Sequence, residues 1–277
     1  MKVEGFGRAS LLRENRMKQS TWFTIRKIHP HVFALAEFFH WEKVVSYLVV
    51  GQKAAVLVDS GMGYGDIHGA IRSITSLPVS VLLTHGHWDH IGGVNLFDTV
   101  FIYKDHFEQK LLAQGFSSKN IPELHSAKFF KKPFHPHHYS INGRVPSKTF
   151  QNNQRLHMGD LTFLVIHTPG HTPGSVCFKE INLNILFTGD AIYPGPLYGH
   201  LPESDMLAFA SSVQKLAAWV DHKTIICPGH NAVVAQPALV FSVGKGLQDI
   251  LGGKISRAEK NGFWEYHFPS FSFLSRI

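Results

Sequence analysis

The stretch Val79-Ser80-Val81-Leu82-Leu83-Thr84-His85-Gly86-His87-Trp88-Asp89-His90-Ile91-Gly92-Gly93 decides how this chain is read. Its first part, Val79 to Thr84, is a short apolar run set off by Pro78, the pattern of a buried strand. Its second part places four side chains with metal-ligating atoms, His85, His87, Asp89 and His90, within six residues. One residue separates His85 from His87, so an extended loop points both to the same side. Asp89 and His90 lie on the following turn and point to a second place. A loop of this kind at the carboxyl end of a strand can feed two metal ions.

The rest of the chain supplies the body for such a loop. At 277 residues with 44% hydrophobic content it suits one large domain or two modest ones with a substantial core. No apolar run approaches the length of a membrane span, and residues 1–30 carry seven Lys or Arg without the apolar segment of a secretory signal. A cytoplasmic location is therefore the expectation. Cys177 and Cys227 each sit in an apolar run and read as buried, reduced core residues. The net charge of +7 is spread without a block of five like charges, which favours a solvated basic surface over nucleic-acid binding.

Residues 1–20 are polar and basic without sustained period and read as a flexible extension, leaving 21–277 as a single domain. From Thr21, short β-like runs follow one another: Val32 to Ala36, Val44 to Val50 and Ala54 to Val58. The apolar spacing of Ile67, Ala70, Ile71 and Ile74 predicts a helix over 66–77, and another helix begins near Asp105 after a strand at Val100 to Tyr103. Between about 115 and 156 periodicity fades. Prolines interrupt, and Phe129, Phe130, Phe134, His135, His137, His138 and Tyr139 crowd together, as in a lid-like insertion. The three histidines there lack acidic neighbours and read as surface or lid residues. Strands are expected at 161–167, 175–178, 185–188 and 224–227, with helices over 204–220 and 236–251. The aromatic tail, 263–273, is expected to pack onto the body.

Three of those later strands run into Gly-bearing turns of the same design as the opening loop. They carry His171 in Thr168-Pro169-Gly170-His171, Asp190 in Thr188-Gly189-Asp190 and His230 in Pro228-Gly229-His230. In a layered α/β domain strand ends gather at one edge, where such turns can converge.

In that order, the Asp59 turn, H-x-H-x-D-H, T-P-G-H, T-G-D and the final G-H resemble the metallo-β-lactamase-fold hydrolase superfamily over about residues 21–250. The resemblance implies an α/β chain of four layers, an αβ/βα sandwich of two mixed sheets flanked by helices. It implies two metal ions, commonly Zn2+, with iron or manganese tolerated by such donors. By the family pattern His85, His87 and His171 hold one ion, Asp89, His90 and His230 the other, and Asp190 bridges them. Asp59 is then the acid behind the ligands that orients their rings. Asp89 would also orient the attacking water and pass a proton to the leaving group. Tyr193, in Asp190-Ala191-Ile192-Tyr193, resembles the D-x-x-Y arrangement of lactonase-like and thioesterase-like members and would stabilise an oxyanion.

Departures from the pattern narrow the chemistry. Zinc β-lactamases usually carry Cys or Ser where Asp190 stands, which argues against a β-lactam substrate. The Gly-Cys-Gly that follows the bridging Asp of glyoxalase II is replaced here by Tyr193-Pro194-Gly195-Pro196-Leu197. The expectation is a dinuclear hydrolase of a small-molecule ester, thioester or lactone, with an apolar pocket built from 129–139 and 193–201. A phosphodiesterase or nuclease on the same metals is the alternative.

Overall fold

Strict alternation along the strands explains how the chain layers itself in the structure, a computed structural model that describes residues 22–121, 138–260 and 262–276. One sheet has the order β1 (Thr24–His29), β2 (Val32–Ala36), β3 (Val45–Val50), β4 (Ala55–Val58), β5 (Val79–Leu82), β6 (Thr99–Tyr103), β9 (Lys148–Phe150). Its first four strands pair antiparallel, and β4, β5, β6 and β9 run parallel. A second sheet has the order β10 (Arg155–Met158), β11 (Leu161–His167), β12 (Val176–Glu180), β13 (Ile185–Gly189), β15 (Ile225–Pro228), antiparallel except for the parallel pair β13–β15.

Successive side chains of a strand point to opposite faces. In β4, Val56 and Val58 enter the layer between the sheets while Ala55 and Leu57 face outward; in β11, Phe163 and Val165 point inward and Leu164 and Ile166 outward. Both faces of each sheet are therefore apolar, and both outer faces need cover. On the first sheet it comes from α1 (Ile67–Arg72), α2 (Trp88–Ile91) and α3 (His106–Gln114), through Ile67, Ile71, Ile91 and Leu112. On the second it comes from α4 (Met206–Leu216) and α5 (Ala238–Leu251), through Phe209, Val213, Val240 and Leu247. The result is the four-layered αβ/βα sandwich. Cys177 faces the outer core and Cys227 the inner one, and both are free and buried.

Several elements differ from expectation for local reasons. Helix α1 stops at Arg72 rather than near residue 77, because Ser73 turns its hydroxyl onto Ala70 O and the Arg72 guanidinium donates to Ser76 O and Leu77 O. These bonds offer the backbone an alternative to the helical ladder. Helix α4 starts at Met206, where the Asp205 carboxylate accepts from Ala208 N, and gives way to a 3-10 turn at Ala217–Trp219. The weakly periodic region contributes the ribbon β7 (Gly115–Ser117) and β8 (Ser140–Asn142) as well as β9. Phe129, Phe130, Phe134, His135 and His137 lie outside the described residues. The aromatic tail builds a third sheet, β14 (Gly195–Gly199), β18 (Phe271–Arg276), β17 (Phe263–His267), β16 (Ala258–Lys260), and buries Tyr266, Phe271 and Phe273 in the core of α4 and α5. No helix among the described residues is long and apolar enough to cross a membrane.

The parallel segments set up the site. Strands β4, β5, β11, β13 and β15 all end at one edge of the sandwich, and the turns that leave them carry Asp59, the His85–His90 loop, His171, Asp190 and His230. One such turn depends on a glycine. Gly170 has φ +145°, and a Cβ there would lie 2.3 Å from Cα of Phe209 on α4. Replacing Gly170 by Ala is expected to cost about 2 kcal/mol or more of unfolding free energy, read from urea denaturation of the metal-free protein.

Candidate metal centre

Five imidazoles converge at this edge, each with one ring nitrogen tied to the protein and the other turned inward. His90 Nδ1 lies 2.9 Å from Asp59 Oδ2, and His85 Nδ1 lies 3.0 Å from Thr84 Oγ1, which itself donates to Asp59 at 2.8 Å. His171 Nδ1 meets the Tyr198 carbonyl at 2.9 Å, His230 Nδ1 meets the Glu42 carbonyl at 2.7 Å, and His87 Nε2 meets Glu203 Oε1 at 2.9 Å. In each case the outer nitrogen is the donor, which leaves the inner one with its lone pair free. Asp59 also accepts from Thr84 N at 2.8 Å and sits at φ +57°, a left-handed conformation that Asp tolerates better than most residues.

The inward atoms form three overlapping groups, His85, His87 and His171; His85, His90 and Asp190; and Asp89, His90 and His230, each with its donor atoms within 4.8 Å of one another. His87 is extended at φ −68°, ψ 153°, and α2 begins directly after it, which turns Asp89 and His90 away from the pair His85 and His87. Asp190 reaches both halves: Oδ1 is 3.1 Å from Nε2 of His90 and of His230, and Oδ2 is 3.4 Å from Nε2 of His171. Buried atoms aimed at the centre are left over. His85 Nε2 and Asp190 Oδ1 have no aligned hydrogen-bond partner among the described residues, and buried polar groups are rarely left so without an ion or water to satisfy them. Imidazole and carboxylate donors in these numbers fit divalent cations.

The charges within the cluster interlock. Burial alone would raise the Asp190 carboxyl, but His230, His90 and His171 hold it well below the usual range. Burial lowers His171 to about 4, whereas His230 is raised to about 9 because the Asp190 and Asp89 carboxylates outweigh its burial. The Asp190 carboxylate thus favours positive charge beside it, in the place where cations would bind.

The centre opens into a cavity of about 630 Å³ walled by Trp41, Trp88, Ile121, Leu201, Phe263 and Leu274, with Glu203 at its side. The segment 193–201 contributes to it as expected, through Pro196, Tyr198, His200 and Leu201. Phe263 comes from the aromatic tail and Leu274 directly follows it, so this region forms part of the pocket wall as well as packing onto the body. Tyr193 lies against His230 with ring centres 5.0 Å apart, and its hydroxyl donates to the Pro196 carbonyl at 2.6 Å. Its phenol therefore already has a backbone partner, and an oxyanion role requires that bond to open.

The family model described as the metallo-beta-lactamase superfamily matches residues 41–230, more than half of the chain. The chain belongs to the metallo-β-lactamase superfamily. It is an enzyme of that superfamily, and its relatives of named activity are hydrolases. The bovine acyl-coenzyme A thioesterase MBLAC2 is 26% identical over 233 residues, covering 77% of this chain and 83% of that protein. The hydroxyacylglutathione hydrolase GloC of Haemophilus influenzae is 28% identical over 190 residues, 65% of this chain and 82% of that one. Among solved structures, a metallo-beta-lactamase from Pontibacter korlensis superposes with a TM-score of 0.63 at 18% identity, covering 82% of this chain and 99% of that one. A superfamily protein from Thermus thermophilus superposes at 0.61 with 20% identity, covering 82% of each chain. At such identities these likenesses concern the fold.

Three carboxylates around the centre do not stand out in the sequence. Glu203 is one. Glu108, on α3, is fully buried and accepts from Gly86 N at 2.6 Å, Gly174 N at 3.1 Å and Thr172 Oγ1 at 2.5 Å, so it ties the His85–His87 loop to the His171 turn. Glu37 is buried under Gly61 to Gly63 and accepts from Met62 N at 2.8 Å and Trp22 Nε1 at 2.5 Å. Gly92, at the end of α2, packs so close to Met62 that a Cβ there would lie 2.1 Å from its carbonyl carbon. The only sequence signal for any of them was Asp105 as a helix cap, which places Glu108 at the third helical position.

Replacing Glu108 by Ala strands three buried donors and is expected to cost about 3 kcal/mol or more, measured by denaturation of the metal-free protein; a loss below about 1 kcal/mol would refute the clamp. Glu37 has a different signature. Burial raises its carboxyl to about 7 against the donors that favour its ionised form. The folded chain then holds this proton more tightly than the unfolded chain, and stability falls as pH rises from about 5 through about 7. The stability of Glu37→Gln relative to the parent is expected to improve steadily across that window; a flat difference would contradict it.

Proposed function

We propose that the chain is a dinuclear zinc hydrolase that cleaves a carboxylic thioester, with esters and lactones as neighbouring substrates. The two oxygens of Asp190 carry this reading, one facing His90 and His230 and the other facing His171, as a residue shared between two ions would. His85, His87 and His171 would hold the first ion and Asp89, His90 and His230 the second. Two divalent cations so held supply Lewis acidity and bring water towards deprotonation near neutral pH.

The chain's own residues do the rest. Asp89, with Oδ2 3.6 Å from Nε2 of both His90 and His230, would accept a hydrogen bond from the attacking water and carry a proton to the leaving group. The Trp41, Trp88 and Phe263 side of the cavity takes the apolar acyl part and limits competing water. Tyr193 can donate to the developing oxyanion if its hydroxyl leaves Pro196. The thioester is favoured among acyl substrates because the relative named as an acyl-coenzyme A thioesterase aligns over most of its length.

Zinc-loaded protein assayed on acyl-coenzyme A thioesters, lactones and bis-p-nitrophenyl phosphate is expected to turn over the thioester. Chelator-stripped protein should be inactive until zinc is restored, and Asp89→Asn should lower kcat by about 10²- to 10⁴-fold. Hydrolysis of the phosphate diester alone would replace this reading with a phosphodiesterase.

A further inference from the structure

Glu203 stands apart from the other groups that hold the histidines. Two outer nitrogens rest on backbone carbonyls, those of His171 on Tyr198 and of His230 on Glu42. His90 rests on Asp59 directly and His85 through Thr84. His87 alone turns its outer nitrogen to a carboxylate at the cavity wall: Nδ1 lies 3.0 Å from Nε2 of His171 inside the cluster, and Nε2 meets Glu203 Oε1 at 2.9 Å.

Glu203 is not held by chance. The short segment that carries it is tied to the His171 turn by Ser204 Oγ, which donates to His171 O at 2.8 Å, and by Asp205 N, which donates to Gly170 O at 2.8 Å. Its other end is held from the C-terminal strand, where Arg276 Nε donates to Leu201 O at 3.0 Å and a second guanidinium nitrogen joins it on the same oxygen. That strand, β18, also pairs in parallel with β14, whose Tyr198 carbonyl receives His171. The outer partners of His87 and of His171 therefore both lean on the last strand of the chain.

We propose that Glu203 is a positioning residue for the first ligand group, and that β18, acting through Arg276, holds it in place. By accepting from Nε2, the carboxylate fixes the tautomer in which Nδ1 bears the free lone pair, sets the ring plane and makes the imidazole a stronger donor. Asp59 serves His90 of the second group in the same manner, and reaches His85 of the first only through Thr84. This inference rests on the reading that the cluster binds two divalent ions, and it concerns how tightly the first is held.

The test is zinc affinity, measured by competition with a chromophoric chelator, together with cobalt substitution followed by visible absorption. The parent is expected to bind two equivalents. Glu203→Ala should weaken one of them by about 10- to 100-fold, alter the cobalt spectrum of that equivalent, leave the other unchanged and leave the Tm of the metal-free protein nearly unmoved. Glu203→Gln, whose amide oxygen can still accept from Nε2, should recover part of the loss, and Arg276→Ala should shift the same equivalent by a smaller factor. Equal affinities in parent and Glu203→Ala would overturn the proposal, as would a parallel loss of both equivalents accompanied by a fall in the Tm of the metal-free protein. An Arg276→Ala protein with parent affinities would remove the strand from it. Failure of the parent itself to bind zinc is a separate result, which would sink the metal reading beneath it.

Discussion

The fork made by Asp59 is the interaction on which the rest of the site depends. One oxygen accepts from Thr84 N and the other from Thr84 Oγ1 and the His90 ring, so a single buried carboxylate fixes the end of β5, the rotamer of Thr84 and the orientation of two imidazoles. A polar group as buried as Asp59 is costly unless its lone pairs are filled. Here they are filled by the groups that must be aligned. Five imidazoles cannot be brought face to face in a low-dielectric interior unless their outer N–H groups have partners, and the partners decide which nitrogen turns inward.

The same logic extends outward in rings. Glu108 joins the two loops that carry His85, His87 and His171, and Glu37 holds the segment against which the end of α2 packs. The sheets supply the rigid frame: β5 and β13 sit in different sheets, yet their loops meet, because the inner faces of both sheets are packed against a common apolar layer. Tyr47, on the first sheet, donates to the Pro228 carbonyl at 2.7 Å on the second, next to His230. A site assembled from two sheets keeps its geometry only as well as that layer keeps its packing.

Much of the candidate site is legible in the sequence. The candidate ligand residues sit in short strand-exit turns rich in Gly, and the spacing H-x-H-x-D-H already separates two directions for its donors. A layered α/β domain followed from strands that alternate with helices, and its four layers from the resemblance to the superfamily. Helix ends were less legible: Ser73 and Arg72 end α1 through side-chain bonds that compete with an otherwise regular apolar period. Glu203 and Glu37 carried no local signal, and Glu108 only its place three residues after the Asp105 helix start, because a lone Glu in a polar segment looks the same whether it faces solvent or a buried N–H. The phenol of Tyr193 was readable as a residue near the centre, but its bond to Pro196 was not.

By itself the sequence determined which side chains could bind metal, the order of the strands that carry them and the alternation with helices that makes a layered α/β domain. These are properties of neighbours along the chain, set by spacing and period. Only the tertiary structure decided which carbonyls and carboxylates take the outer histidine nitrogens, that Glu108 and Glu37 are buried and Glu203 half-buried around the centre, and that the last strand lines the pocket and supports Glu203. Those features join residues up to 188 positions apart, as His230 and Glu42 are. Contacts of that range are fixed by packing and by the need to pair every buried polar group, and neither leaves a mark on the local sequence.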